Sequence, residues 1–97
     1  MRGRPVPDSD VDTVVLAPGA RRALTDTLPP SAALAAWEFI TGPLSQRPRI
    51  VGARLRAPFE DQWRARRGEY RVRYRIDEDS REVTVLDVDH RRSAYPS

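Results

Sequence analysis

The chain contains no cysteine and no lysine. The first absence excludes disulfide staples, cysteine-zinc sites and thiol catalysis, and it permits a reducing, cytoplasmic setting. The second makes all 17 basic residues arginine. Codon usage in a GC-rich genome suffices to produce that bias. Its physical consequence does not depend on the cause: each positive charge is a planar, permanently protonated fork that matches phosphate oxygens. No apolar run approaches the ~20 residues needed to cross a bilayer. The opening stretch, MRGRPVPDSD, lacks the apolar core of a secretory signal. No His/Cys/Asp/Glu group has ligand spacing, so neither a metal nor another cofactor is expected. The glycines after Gly3 are scattered at Gly19, Gly42, Gly52 and Gly68 and form no phosphate-cradling loop. No Ser/His/Asp arrangement of recognisable form is present.

What remains is 97 residues and 11.0 kDa, with 17 basic and 14 acidic side chains and a net charge of +3. That length builds one small domain. Residues 1–11 carry Arg2, Arg4, Pro5, Pro7, Asp8 and Asp10 with little apolar content. They read as a flexible N-terminal extension, leaving 12–97 as a single domain. Val14–Ala17 is short and β-branched and predicts a strand, ended by Pro18-Gly19. Ala20, Leu24 and Leu28 recur at four-residue spacing and predict a short helix. Pro29-Pro30 breaks it, Ser31 is positioned as the next N-cap, and apolar residues through Ile40 predict a second helix over Ser31–Thr41, stopped by Gly42-Pro43. Residues 45–62 are polar, with Val51, Leu55 and Phe59 expected to pin the segment to the core. Three strands follow: Trp63–Arg67, Tyr70–Asp77 and Glu82–Asp89, joined by tight turns. The order β-α-α-β-β-β predicts an α+β fold, a helical hairpin against one face of a small, mostly antiparallel sheet.

Alternation within the strands carries the functional reading. Successive residues of a strand point to opposite faces. Tyr70, Val72, Tyr74 and Ile76 therefore share one face with Trp63 and Ala65. Arg71, Arg73 and Arg75 share the other with Arg64 and Arg66. Five guanidinium groups on one surface repel one another and call for carboxylates within the protein or a polyanion outside it. Asp87 and Asp89 supply two acids against five bases. Arg73 or Arg75 is expected in an ion pair, and the remaining excess points to phosphate. His90, Arg91, Arg92 and Tyr95 follow the last strand. A lone histidine is more often structural than catalytic, and a tyrosine in a polar tail can anchor the tail or stack on a base.

The run Trp63-Arg64-Ala65-Arg66-Arg67-Gly68-Glu69-Tyr70-Arg71-Val72-Arg73-Tyr74-Arg75-Ile76-Asp77, followed by Val85-Leu86-Asp87-Val88-Asp89-His90-Arg91 and Tyr95, resembles toxins of the RelE/ParE superfamily on the RelE side. The opening Val15–Leu24, Phe39–Leu44, and Pro48, Val51-Gly52 and Leu55-Arg56 resemble other parts of the same pattern, and the likeness spans about Thr13 to Tyr95. The resemblance implies a type II toxin that enters the ribosomal A site and cuts mRNA there. It also implies a cognate antitoxin, a toxin–antitoxin hetero-oligomer, a cytoplasmic setting and no membrane. By motif, Arg71 fills the arginine of the Gly-x-Tyr-Arg element, Arg64 and Arg66 the basic strand positions, Arg91 the arginine after the last strand and Tyr95 the terminal tyrosine. These five are the expected catalytic residues, and Arg54, Arg56, Arg73, His90 and Arg92 the expected RNA contacts. Some relatives carry lysine at the strand positions.

Metal-independent RNA cleavage uses the 2′-hydroxyl as nucleophile and needs charge stabilisation at the phosphate, for which fixed arginines are suited. Arg71 and Arg91 are the expected phosphate clamp. Arginine, with a pKa above ~12, is a poor base. Proton transfer is then left to Tyr95, His90 or ribosomal RNA. Two other readings compete. One is a ParE-like inhibitor of DNA gyrase on the same fold, and the other is a non-catalytic module that binds RNA or an acidic protein.

Overall fold

A computed structural model describes residues 12–90. The N-terminal extension and the tail with Arg91, Arg92 and Tyr95 lie outside the described residues. The elements are β1 (Thr13–Leu16), α1 (Pro18–Arg22), α2 (Pro30–Phe39), β2 (Ala53–Arg54), β3 (Trp63–Arg67), β4 (Tyr70–Asp77) and β5 (Glu82–His90). The sheet has five strands in the order β1-β5-β4-β3-β2. β1 runs parallel to β5 at one edge, and the other pairings are antiparallel. The α+β architecture matches the order read from the sequence, with one addition. The two-residue β2 comes from the segment read as a polar connection, and it pairs Ala53 with Arg64 and Arg54 with Trp63.

The helices differ from the sequence reading at their ends. Pro18 does not merely end β1; it occupies the first turn of α1, where a missing N–H costs nothing. Ser31 is not an N-cap. Pro29 holds that place and Pro30 begins α2. Each helix then continues as a wider π-type turn, over Ala23–Thr27 and Ile40–Leu44. Gly42-Pro43 therefore lies inside the helical segment and does not stop it. The wider hydrogen-bond pattern accommodates a proline that an α-turn would reject.

Helices and sheet meet through small and β-branched residues. Ala20, Ala36, Ile40, Leu44, Ala65, Val72, Tyr74, Val83 and Val85 are fully buried. Alanine at Ala20 and Ala36 lets the helices approach the sheet closely. Two tyrosines tie the layers together. Tyr70 donates its hydroxyl hydrogen to the Ala35 carbonyl at 3.0 Å, and its ring meets Phe39 edge-on. Tyr74 donates to the Pro48 carbonyl at 2.6 Å. Both satisfy a polar atom that burial would otherwise strand. The β3–β4 turn needs a positive φ at its first central residue, and Gly68 supplies it at φ +58°.

Candidate nucleic-acid interface

The sheet face away from the helices carries the arginines. β3 and β4 pair Arg64 with Arg73 and Arg66 with Arg71. Directly opposite residues lie on the same face, so four guanidinium groups crowd one surface. Across β4–β5, Arg71 stands opposite Asp89 and Arg73 opposite Asp87.

Those two acids reach this face because of a β-bulge. The register slips at Arg73/Tyr74, so Leu86 is the extra residue of β5. Before it the odd positions Val83 and Val85 point into the core; after it Val88 and His90 do. Without the bulge, Asp87 and Asp89 would share the core face with Val83 and Val85. A bulge inverts the side-chain alternation downstream, and here it turns two carboxylates out toward the arginines.

The acids neutralise only part of the charge. Asp87 pairs with Arg73 at 3.5 Å. Asp61, in the loop before β3, pairs with Arg75 at 3.4 Å. Arg73 and Arg75, the arginines offered for an ion pair, are thus both paired, Arg75 with an acid outside the last strand, and exposed pairs of this kind contribute only ~0–1 kcal/mol each. Among the described residues, Arg56, Arg64, Arg66 and Arg71 have no carboxylate within 4.0 Å. Asp89 faces Arg71 across the ladder without closing onto it.

A groove of about 650 Å³ opens on this face, lined by Arg56, Arg64, Arg71, Arg73 and Asp89, with Ala53, Leu55, Ala57 and Phe59 along one wall. The side chain of Gln62 also borders it, with an Oε1 that is buried and without a partner. β2 builds that wall by adding a fifth strand beyond β3. The loop after β2 closes on itself through Leu55 N–H to the Gln62 carbonyl at 2.9 Å.

The expected site residues divide by position. Arg64, Arg71, Arg73 and Arg56 come together in the groove. Arg66 shares their face, one register pair nearer the β3–β4 turn. Arg54 borders the groove but is engaged locally. It stacks over Trp63 at 5.8 Å and donates from Nε to the Glu60 carbonyl at 2.9 Å. His90 is not brought to this face. It pairs with Tyr70 inside β5, is buried on the helix side, and its Nε2 lies 3.3 Å from the Glu69 carboxylate. Phe59 departs in the opposite sense. It does not pin the loop to the core; half of it is exposed, on the wall of the groove. It sits between Pro58 and two acids in a loop without regular secondary structure, so no helix or strand period fixes its direction. Among the described residues, no three His, Asp or Glu side chains come together as a metal-holding group.

Residues 14–95 match the model of a family described as the ParE toxin of the type II toxin–antitoxin system, parDE. The chain is 45% identical over 83 residues to Toxin RelG of Mycobacterium tuberculosis, spanning 86% of this chain and 94% of that one. It is 40% identical over 68 residues to Toxin RelE of the same organism, spanning 70% of each. Its fold superposes with a TM-score of 0.80 on a chain of the toxin–antitoxin complex RelBE2 from Mycobacterium tuberculosis, at 44% identity over 84% of this chain and 92% of that one. A chain of the archaeal RelE–RelB complex from Pyrococcus horikoshii shares the fold at 22% identity and a TM-score of 0.62, over 84% of this chain and 96% of that one.

Proposed function

The chain belongs to the RelE/ParE family of type II toxin–antitoxin toxins, and from that premise we propose that it is a ribosome-dependent mRNA endoribonuclease that arrests translation. The observation that carries this reading is the groove: Arg64 and Arg71 from two paired strands and Arg56 from a loop, with no carboxylate partner among the described residues, line one hollow on the sheet beside the paired Arg73. Like charges opposed in a ladder are destabilising. A nucleic-acid backbone lying in the groove supplies the missing counter-charge.

In this mechanism the message lies along the arginine face. The 2′-oxygen of one nucleotide loses its proton and attacks the adjacent phosphorus. The bond from phosphorus to the 5′-oxygen breaks and that oxygen takes up a proton, so one proton is accepted from the 2′-oxygen and one is given to the 5′-oxygen. A 2′,3′-cyclic phosphate and a free 5′-hydroxyl result. Arg71 and Arg64 bind the phosphate oxygens as negative charge builds on them, a fixed-donor effect commonly worth ~3–4 kcal/mol per group. Arg91 completes the clamp, and Arg56 and Arg73 hold the flanking backbone. With His90 on the opposite face, proton transfer falls to Tyr95 or to ribosomal RNA.

The toxin is expected to work in the cytoplasm, bound and silenced by a cognate antitoxin with an acidic, partly helical segment. Among the described residues, no helix is long and apolar enough to cross a membrane. Leu34 and Trp37 are exposed three residues apart on α2, an apolar spacing that suits a helical partner.

A second reading, inhibition of DNA gyrase, is favoured by the name of the matching family model. Two relatives named RelG and RelE at 45% and 40% identity support the first. Expression of the full chain without its antitoxin tests both. The mRNA-cleavage reading expects growth arrest with broken messages, relieved by Arg71→Ala. Growth arrest with intact messages and altered plasmid supercoiling establishes the second in its place.

A further inference from the structure

We propose that Phe59 is a base-stacking platform that positions one nucleotide of single-stranded RNA beside the arginine groove. The inference rests on the nucleic-acid reading of that groove and adds a residue outside the inherited motif.

Phe59 is 51% exposed and lines the groove together with Arg56, Arg64 and Arg71. Its backbone is fixed at both ends. The Phe59 N–H donates to the Arg56 carbonyl at 2.8 Å, and the Phe59 carbonyl accepts from Gln62 N–H at 2.9 Å. The loop thus presents the ring from a rigid base, which keeps the ordering cost of binding low. An exposed ring inside a cationic groove suits a ligand that carries both an anionic backbone and flat apolar faces. Single-stranded RNA is such a ligand: guanidinium groups follow its phosphates while a ring takes a base. A protein partner would need an apolar side chain set among acids to match both, and the antitoxin arm of the test separates that case. The other aromatics nearby are already engaged, since Trp63 stacks on Tyr74 and carries Arg54.

The test uses the full chain and a short single-stranded RNA containing one 2-aminopurine, whose fluorescence falls when it stacks on an aromatic ring. Free RNA away from the ribosome serves as the probe. The wild type is expected to bind with steep salt dependence and to quench the fluorophore. Phe59→Leu keeps the apolar bulk but not the ring. It is expected to lose the quench and weaken binding about tenfold, with the salt slope and urea midpoint unchanged. Phe59→Tyr is expected to restore both. Wild-type quenching in Phe59→Leu overturns the inference and leaves the groove assignment intact. So does a quench that depends on Tyr95 and not on Phe59. A loss confined to antitoxin binding assigns the ring to a protein contact and also overturns it. Absence of any RNA binding by the wild type overturns the inference and leaves the ribosome-dependent cleavage reading standing.

Discussion

Arg64 and Arg73 stand directly opposite each other in the β3–β4 ladder, and among the described residues only Arg73 of the two has a carboxylate partner, Asp87 at 3.5 Å. Arg66 and Arg71 repeat the opposition one pair along. A ladder selected for stability alone would alternate the signs. This one accumulates positive charge on the face that the helices leave open, so function and stability pull in opposite directions there.

Arg64→Gln should therefore stabilise the isolated protein while weakening its hold on RNA. Relief of one opposed pair is worth ~0.2–1 kcal/mol, and the gain should shrink in high salt. Asp87→Ala should shift stability the other way by a similar amount. Urea denaturation at low and high salt reads both signs.

The arginine face was legible from sequence because β4 alternates without interruption, with Tyr70, Val72 and Tyr74 buried against Arg71, Arg73 and Arg75 turned out. In β5 Asp87 and Asp89 lie on the expected face, opposite Arg73 and Arg71, but the break of alternation at Leu86 that puts them there was not legible. A single inserted residue is invisible to a period-two reading and yet decides which way Asp87 and Asp89 point. The same strand continues one residue past Asp89, so His90 enters the ladder and turns inward instead of joining the tail. β2 escaped notice because two residues carry no periodicity. Pro43 was read as a stop because an α-helix rejects it, whereas the π-type turn around it does not.

Gly52 is held against the sheet by a close approach. A Cβ there would lie 2.2 Å from the Tyr74 hydroxyl and 2.9 Å from the Arg64 carbonyl oxygen. Gly52→Ala should destabilise the fold by ~1–3 kcal/mol and loosen the pairing of β2 with β3. Adding Tyr74→Phe removes the nearest clashing atom, so the double variant should be more stable than the sum of the two losses implies. Thermal unfolding of the four proteins checks the coupling.

Burial pushes the Tyr74 phenol up to about 12 from its ordinary 10.0. The folded state holds the proton more tightly than the unfolded chain does. The resulting stability is complete below pH 10, declines above it and is gone near pH 12. Burial raises Tyr70 as well. Tyr74→Phe is expected to be less stable than wild type at neutral pH, having lost the bond to Pro48. Its stability should then fall less steeply in that alkaline range. Urea midpoints measured across the range give the comparison.

Each arginine that neutralises a phosphate should leave its mark on the salt dependence. For single strands, log K falls against log salt by ~0.7 per neutralised phosphate. Arg64→Ala and Arg71→Ala should each flatten the slope by about that amount. Arg75 is paired with Asp61 and does not line the groove, so Arg75→Ala should leave it nearly unchanged. Equal slopes for all three variants would remove the distinction drawn between groove and periphery.

The central claim is that the arginine groove cuts messages on the ribosome, and cleavage by purified protein tests it most directly. A defined mRNA is translated in a cell-free system with the full chain added, and breaks are mapped by primer extension. Wild type should give breaks within the translated region that vanish when ribosomes are withheld. Arg71→Ala should reduce their rate about 10²- to 10³-fold while retaining the fold. Intact message with wild type, or the same breaks at the same rate with Arg71→Ala, would contradict the account.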